Sequence, residues 1–283
     1  MGLPDYQEGL RDDVLRLDHL PPLSVTASRL LSVSADPDLD IDALAAIIEQ
    51  DPPLTARILG LANSAFFGQV RPILTVADAI IRVLGLNMVR SLSLSMALAG
   101  SFNTRACRTF DLSRYWLSSL ITAHLAAAVG RRLRGDPRRP ADALYLSGLM
   151  HNLGALVLVH LRPRDMTQVL ETALEHPEAN VTEIERSVLG VDRWEAGGWL
   201  AVRWHLPEVV AHTLGNLTNT SYQGPHTAVI GVIRAASDWT REFAWGVAAE
   251  FVVPGVPDEV AAAAVGEVES RLEDLRAMAA SLA

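Results

Sequence analysis

Apolar residues recur at three- and four-residue spacing along most of the chain, while sustained two-residue alternation rich in β-branched and aromatic side chains is scarce. The pattern predicts an all-α protein. Between Pro22 and Ser34, Leu23, Ala27, Leu30 and Leu31 share a helical stripe. Asp40 is placed to cap a helix carrying Leu44, Ile47 and Ile48, and Asp51-Pro52-Pro53 closes that helix and opens another with Leu54, Ile58 and Leu61. Thr75-Val-Ala-Asp78 has capping-box spacing, its helix buries Val76, Ile80 and Leu84, and Gly85 supplies the stop. Asn87 to Phe102 mixes Leu, Ser, Met and Ala, as a helix packed on several sides would.

The more polar stretch Asn103 to Asp111 marks a joint between two helical lobes. A long helix then runs from Asp111 through His124 to Arg134, followed by a loop with Gly135, Pro137 and Pro140. Ala141 to Leu161 reads as one apolar helix. Further helices are expected over Arg164 to Glu175, Thr182 to Leu189, Arg193 to His205, Glu208 to Leu214 and Thr227 to Ala244, with Thr182-Glu-Ile-Glu185 as a capping box. Pro257 to Leu282, rich in Ala and Glu, reads as one terminal helix. No repeat at a fixed period is present.

Composition narrows the function classes. The 24 basic residues stand against 33 acidic ones, and the net charge of −9 opposes general nucleic-acid binding, which is held by Lys and Arg contacts to phosphates. All the basic residues are Arg, a usage that codon bias explains more simply than a demand for bidentate contacts. The single Cys107 excludes an internal disulfide and a multi-thiolate zinc site. Met1 to Leu20 lacks a basic region followed by an apolar one, and no run approaches 18 uninterrupted apolar residues, so no membrane span is expected and the cytoplasm is the expected compartment.

The most informative residues are His151 and Asn152, a polar pair inside the apolar run Leu149-Met-His-Asn-Leu-Gly154. His124 on the preceding long helix and Asp238 on a later one could converge with them into a divalent-metal site. The competing reading makes both histidines core residues and Asp238 an interhelical or surface carboxylate. Arg131, Arg132, Arg134, Arg138 and Arg139 crowd one helix end, where they complement the helix dipole or meet an anion or an acidic partner. In Asn63-Ser-Ala-Phe-Phe-Gly68, Asn63 and Ser64 are expected to cap backbone groups while Phe66 and Phe67 fill the lobe joint, with a partner surface as the alternative. Trp194, Trp199 and Trp204, five residues apart, point in different directions around a helix. Phe243, Trp245 and Phe251 are placed to dock the terminal helix on the body, with an adhesive surface patch as the alternative. No Gly-x-Ser-x-Gly elbow and no phosphate loop of the Gly-x-x-x-x-Gly-Lys type occurs.

The motifs Leu20-Pro-Pro-Leu23, Ile48-Glu-Gln-Asp-Pro-Pro through Ala62-Asn-Ser-Ala-Phe-Phe-Gly68, Ala79-Ile-Ile-Arg-Val-Leu-Gly85, Leu149-Met-His-Asn-Leu-Gly154 and Trp204-His-Leu-Pro-Glu208, in that order, resemble an HDOD domain over roughly Leu20 to Trp239. The resemblance implies a two-lobed helical fold related to the HD hydrolases, which bind metal through a His, a His-Asp pair and a distant Asp. Carried over, these positions are His124, His151 with Asn152, and Asp238. Asn152 departs from the pattern, because a neutral amide neither adds charge to a dication nor bridges two metals well. Arg193 and Leu217-Thr218 stand where some hydrolases recruit further histidines, and a guanidinium would repel a metal while pairing with Asp238 or an anion.

The resemblance therefore implies a decayed centre with no catalytic residues, no metal and no cofactor. The expected role is a bacterial regulatory module that acts through a protein partner. A phosphohydrolase of nucleotides or cyclic dinucleotides and a non-catalytic nucleotide sensor are the alternatives. The expected organisation is an N-terminal helical extension over 1–19, the domain over 20–240 with lobes of about 20–108 and 109–240, and a C-terminal helical extension over 241–283. These flanks leave no room for a partner signalling domain, so a stand-alone regulator is expected.

Overall fold

The computed structural model describes residues 9–10, 12, 20–34, 36, 38–68, 71–133, 140–245 and 250–283, the side chains of 65 and 242–245 excepted. Most of the 1–19 extension, together with Arg134, Arg138 and Arg139, lies outside the described residues, as do the Phe243 and Trp245 side chains. The chain is helical, and no strand occurs among the described residues.

The first bundle contains α1 (Val25–Ser32), α2 (Ile41–Glu49), α3 (Pro52–Ala62), a 3-10 turn at Ala65–Phe67, α4 (Val76–Ala79) and α5 (Leu86–Ala99). Its caps follow the sequence: the Asp40 carboxylate accepts from the Ala43 N–H at 2.6 Å, Asp51 from Leu54 at 3.1 Å and Thr75 from Asp78 at 3.0 Å. Past Ala79 the helix widens into a π turn over Ile80–Leu84 that ends at Gly85, whose φ of 78° favours glycine.

The second bundle is built around α6 (Leu112–Arg132), capped by Asp111, with α7 (Ala141–Met150), α8 (Leu153–Leu161), α9 (Pro163–Glu175), α10 (Val181–Leu189), α11 (Arg193–Arg203), α12 (Glu208–Asn216) and α13 (Thr227–Trp245). The helices α7 and α13 pack along α6, and α8 packs on α11. Two helices, α14 (Asp258–Glu269) and α15 (Leu272–Leu282), follow and also lie on α6, with α15 reaching α3 and the 3-10 turn of the first bundle. One continuous hydrophobic core joins all of these, from Leu10 to Leu282.

The structure corrects three expected elements. Ala141–Leu161 has the length and apolarity of a membrane-crossing helix, yet 83% of its apolar 18-residue stretch is buried inside the fold, and it breaks at His151 and Asn152 into α7 and α8. The terminal helix is likewise two, parted at Ser270 and Arg271, where the Arg271 side chain lies over the Phe66 ring. Thr182 does not cap α10: Asn180 does, accepting from the Thr182 N–H at 3.1 Å, while Glu185 is taken up by Arg193. The capping box of this region is Asp192-Arg-Trp-Glu195, which opens α11.

Candidate functional site

His151 sits at the α7–α8 break, 1% exposed, its ring stacked on Trp194 with centroids 5.8 Å apart. Its Nδ1 lies 2.7 Å from the Gly148 carbonyl, which can only accept, so Nδ1 carries the proton and Nε2 presents a bare lone pair. That Nε2 is buried with no hydrogen-bond partner. Burial first, and then the Arg193 charge, push the imidazole down to about 4, with the Gly148 bond opposing, so His151 is neutral at pH 7. Gly154 brings α8 against α11: a Cβ there would fall 1.7 Å from the Arg193 carbonyl oxygen. The two backbones meet without side chains between them, and this approach places Asn152 beside Arg193.

Arg193 occupies the centre of the arrangement. Its Nε donates to Glu185 Oε1 at 2.8 Å, its Nη2 lies 2.6 Å from the same oxygen, and its backbone N–H donates to Glu185 Oε2 at 3.0 Å. The remaining Nη1 donates to Asn152 Oδ1 at 3.3 Å. Glu185 is fully buried, and burial pushes its carboxyl up while the Arg193 contacts pull it down. Arg193 is thus paired with Glu185, where the sequence suggested Asp238 or an anion. Beside it, Arg186 Nη2 meets Asp192 Oδ2.

Asp238 stands apart from the two histidines, exposed on α13 and flanked by Arg234 and Arg241. Partial enclosure raises its carboxyl, and those two arginines pull the other way. With Asn152 and Arg193 it lines a cavity of about 280 Å³, which does not include His124 or His151. Five guanidiniums line that cavity: Arg114, Arg186, Arg193, Arg234 and Arg241.

His124 has the same local chemistry in a different place. Its Nδ1 lies 2.8 Å from the Leu120 carbonyl, its Nε2 is buried without a partner, and burial holds it down at about 4. Its neighbours are the rings of Phe66 and Tyr145, at 5.6 and 5.3 Å. Among the described residues, no three His, Cys, Asp or Glu side chains gather as a metal ion requires.

The HDOD domain model matches residues 20–219. The chain belongs to the HDOD domain family. A curated relative, an uncharacterized protein of Treponema pallidum (strain Nichols), is 29% identical over 201 residues, which is 70% of this chain and 37% of that protein; the chain thus spans little more than a third of that relative's length. A crystal structure of a "putative signal transduction protein" from Marinobacter aquaeolei VT8 superposes with a TM-score of 0.84 at 25% identity, over 99% of this chain and 65% of the other. An HDOD domain protein of Geobacter sulfurreducens superposes at 0.76 with 23% identity, covering 100% and 99% of the two chains. A "putative metal-dependent phosphohydrolase" from Shewanella amazonensis SB2B superposes at 0.61 with 26% identity, over 99% and 98%.

Within this HDOD chain the Asn63 motif caps and joins. Asn63 donates to the Leu59 and Ile73 carbonyls at 2.8 Å each and accepts from the Ile73 N–H at 2.7 Å, and Ser64 bonds the Leu61 carbonyl at 2.7 Å. Phe66 packs edge-on against Phe67, and the Arg271 guanidinium lies 3.4 Å over its ring. Arg131 and Arg132 both pair with Glu267 of α14, Arg132 at 2.7 Å, so these two arginines hold the C-terminal hairpin and are not open to an anion. Although burial opposes it, Arg132 and Arg131 keep the Glu267 carboxyl below its ordinary value. Sequence reasoning missed Glu185, Arg114, Arg186, Arg234 and Arg241. The Asp-x-x-Glu box at 192–195 was the available signal that a helix opens with Arg193 in its first turn.

Proposed function

We propose that this HDOD chain is a bacterial signal-transduction module that works without hydrolysing phosphoesters and is read by a protein partner in the cytoplasm. One observation carries the reading: the side chain beside Asn152 is a buried guanidinium whose Nη1 already occupies the amide oxygen. A divalent cation there would meet the Arg193 charge and an amide already bonded, while Asp238 is turned toward Arg234 and Arg241. This donor set does not suit a metal. The Marinobacter neighbour, described as a putative signal transduction protein, supports the regulatory role.

A phosphohydrolase is the second reading, favoured by the bare Nε2 atoms of His124 and His151, the tautomer that a metal ligand uses, and by the Shewanella neighbour's description. The test is metal content by mass spectrometry on protein purified without chelator, challenged with manganese, iron and zinc and desalted, alongside hydrolysis of bis(p-nitrophenyl) phosphate. The expected result is negligible metal and no metal-dependent release of p-nitrophenolate. About one tightly held ion per chain, lost in His151→Ala, with turnover raised by Asn152→Asp, would overturn the proposal.

A further inference from the structure

Two further histidines meet away from the His124 and His151 positions, at the connection between α12 and α13. His212 lies one turn after Glu208 on α12, and His226 immediately precedes α13. Their ring centroids are 5.6 Å apart. Both Nε2 atoms are directed at one point, since the Glu208 Oε1 lies 3.6 Å from the Nε2 of His212 and 3.9 Å from that of His226. An ion about 2.0–2.1 Å from each of two Nε2 atoms holds the imidazole centres roughly 5–6 Å apart, the separation found here.

The connection is shaped to hold this pair. His226 has a φ of 60°, a left-handed backbone unusual for a residue with a side chain, and its carbonyl accepts the Ile230 N–H at 2.9 Å, which ties it to α13. The Tyr222 hydroxyl lies 2.9 Å from the His212 Nδ1. A Cβ at Gly224 would fall 2.3 Å from that hydroxyl oxygen, so glycine leaves room for the contact. With Nδ1–H donating to the hydroxyl, the His212 Nε2 is left bare, the arrangement by which an outer partner orients a ligating imidazole. Tyr222 and His226 line a cavity of about 700 Å³, which gives an ion a way in. Arg234, on the same wall, is turned to the carbonyls of Asn216, Leu217 and Asn219. The Asn152 position differs, because there a guanidinium bonds the candidate ligand itself.

We propose that His212 and His226 bind a zinc ion through their Nε2 atoms, with Tyr222 as the positioning residue of His212. Glu208, 73% exposed, is not a fixed third ligand. Its carboxylate supplies attraction, and water completes the shell. The ion would clamp the start of α13 to α12, across the connection whose carbonyls Arg234 holds from within α13. With two fixed protein ligands where tightly held zinc has three or four, the ion exchanges readily and is lost on desalting.

Isothermal titration calorimetry of the full chain with zinc chloride, in chelator-free buffer, tests this. Saturable binding of about one ion per chain is expected, with no comparable heat from magnesium chloride, a hard cation that prefers oxygen ligands. His212→Gln and His226→Gln should each weaken binding at least about tenfold, and Tyr222→Phe, which removes only a hydroxyl, by about tenfold. His176→Gln, at an exposed histidine 3.5 Å from Glu178, should change nothing and separates a built pair from any surface imidazole. Unchanged far-UV circular dichroism identifies variants that have kept the fold. Absence of saturation overturns the proposal, as does binding that survives both His212→Gln and His226→Gln. An ion kept by those variants and lost in His151→Ala would overturn the non-metal reading of Asn152 and Arg193 as well, whereas loss in His212→Gln alone leaves that reading untouched.

Discussion

His151 and His124 share a local design and differ in what surrounds them. Each bonds a carbonyl one turn back through Nδ1, keeps Nε2 bare and is held neutral by burial. His151 stacks on Trp194, which together with Arg193, the partner of Glu185, lines the arginine-rich cavity. His124 is enclosed by Phe66 and Tyr145 under the C-terminal hairpin. The difference teaches that the imidazole geometry comes from the helix carrying it, whereas its chemical use depends on charges brought by other helices. At His151 those charges form a buried ion pair; at His124 the neighbouring cation lies over an aromatic ring.

Removing the ion pair breaks the comparison most severely. Glu185→Ala leaves a buried guanidinium uncompensated and should cost about 3–5 kcal/mol in denaturant unfolding, while Glu185→Leu combined with Arg193→Leu should cost markedly less. Acid tests what the two histidines have in common. Their folded values of about 4 lie below the ordinary 6.5, so the unfolded chain takes up protons first as pH falls. Stability should be full above about pH 6.5 and decline progressively toward about pH 4, by about 3 kcal/mol at most for His151. Thermal melts across that range check this, and His151→Gln should flatten the decline. The smallest effect belongs to the His124 side, where Arg271→Ala removes a cation–π contact and a 3.0 Å bond to the Phe66 carbonyl. It should cost about 1–2 kcal/mol in denaturant unfolding.

How far the sequence revealed this depends on the range of the interaction. Caps at Asp40, Asp51 and Thr75 were legible because the bonded groups lie within three residues. The all-helical class followed from periodicity. The break at His151 was not legible, because it depends on a side chain competing for the Gly148 carbonyl and on Gly154 meeting α11. Arg131 and Arg132 looked like an open basic patch because their partner Glu267 lies more than 130 positions away. Apart from Arg193, the cavity arginines were individually unremarkable in sequence, since helices far apart in the chain bring Arg114, Arg186 and Arg241 to the same cavity.

Arg271 and Phe66 are 205 positions apart in the chain. A ribosome delivers the Asn63–Phe67 turn long before the guanidinium that lies over it, so during synthesis the face of the Phe66 ring stays uncovered while all of the second bundle is made. The first bundle is then completed by residues that emerge after its neighbour has had time to fold, an order opposite to the usual one in which an N-terminal unit finishes first. Chains that stop short of Arg271 would carry an open aromatic seam, giving quality-control machinery a surface by which to distinguish unfinished copies from finished ones.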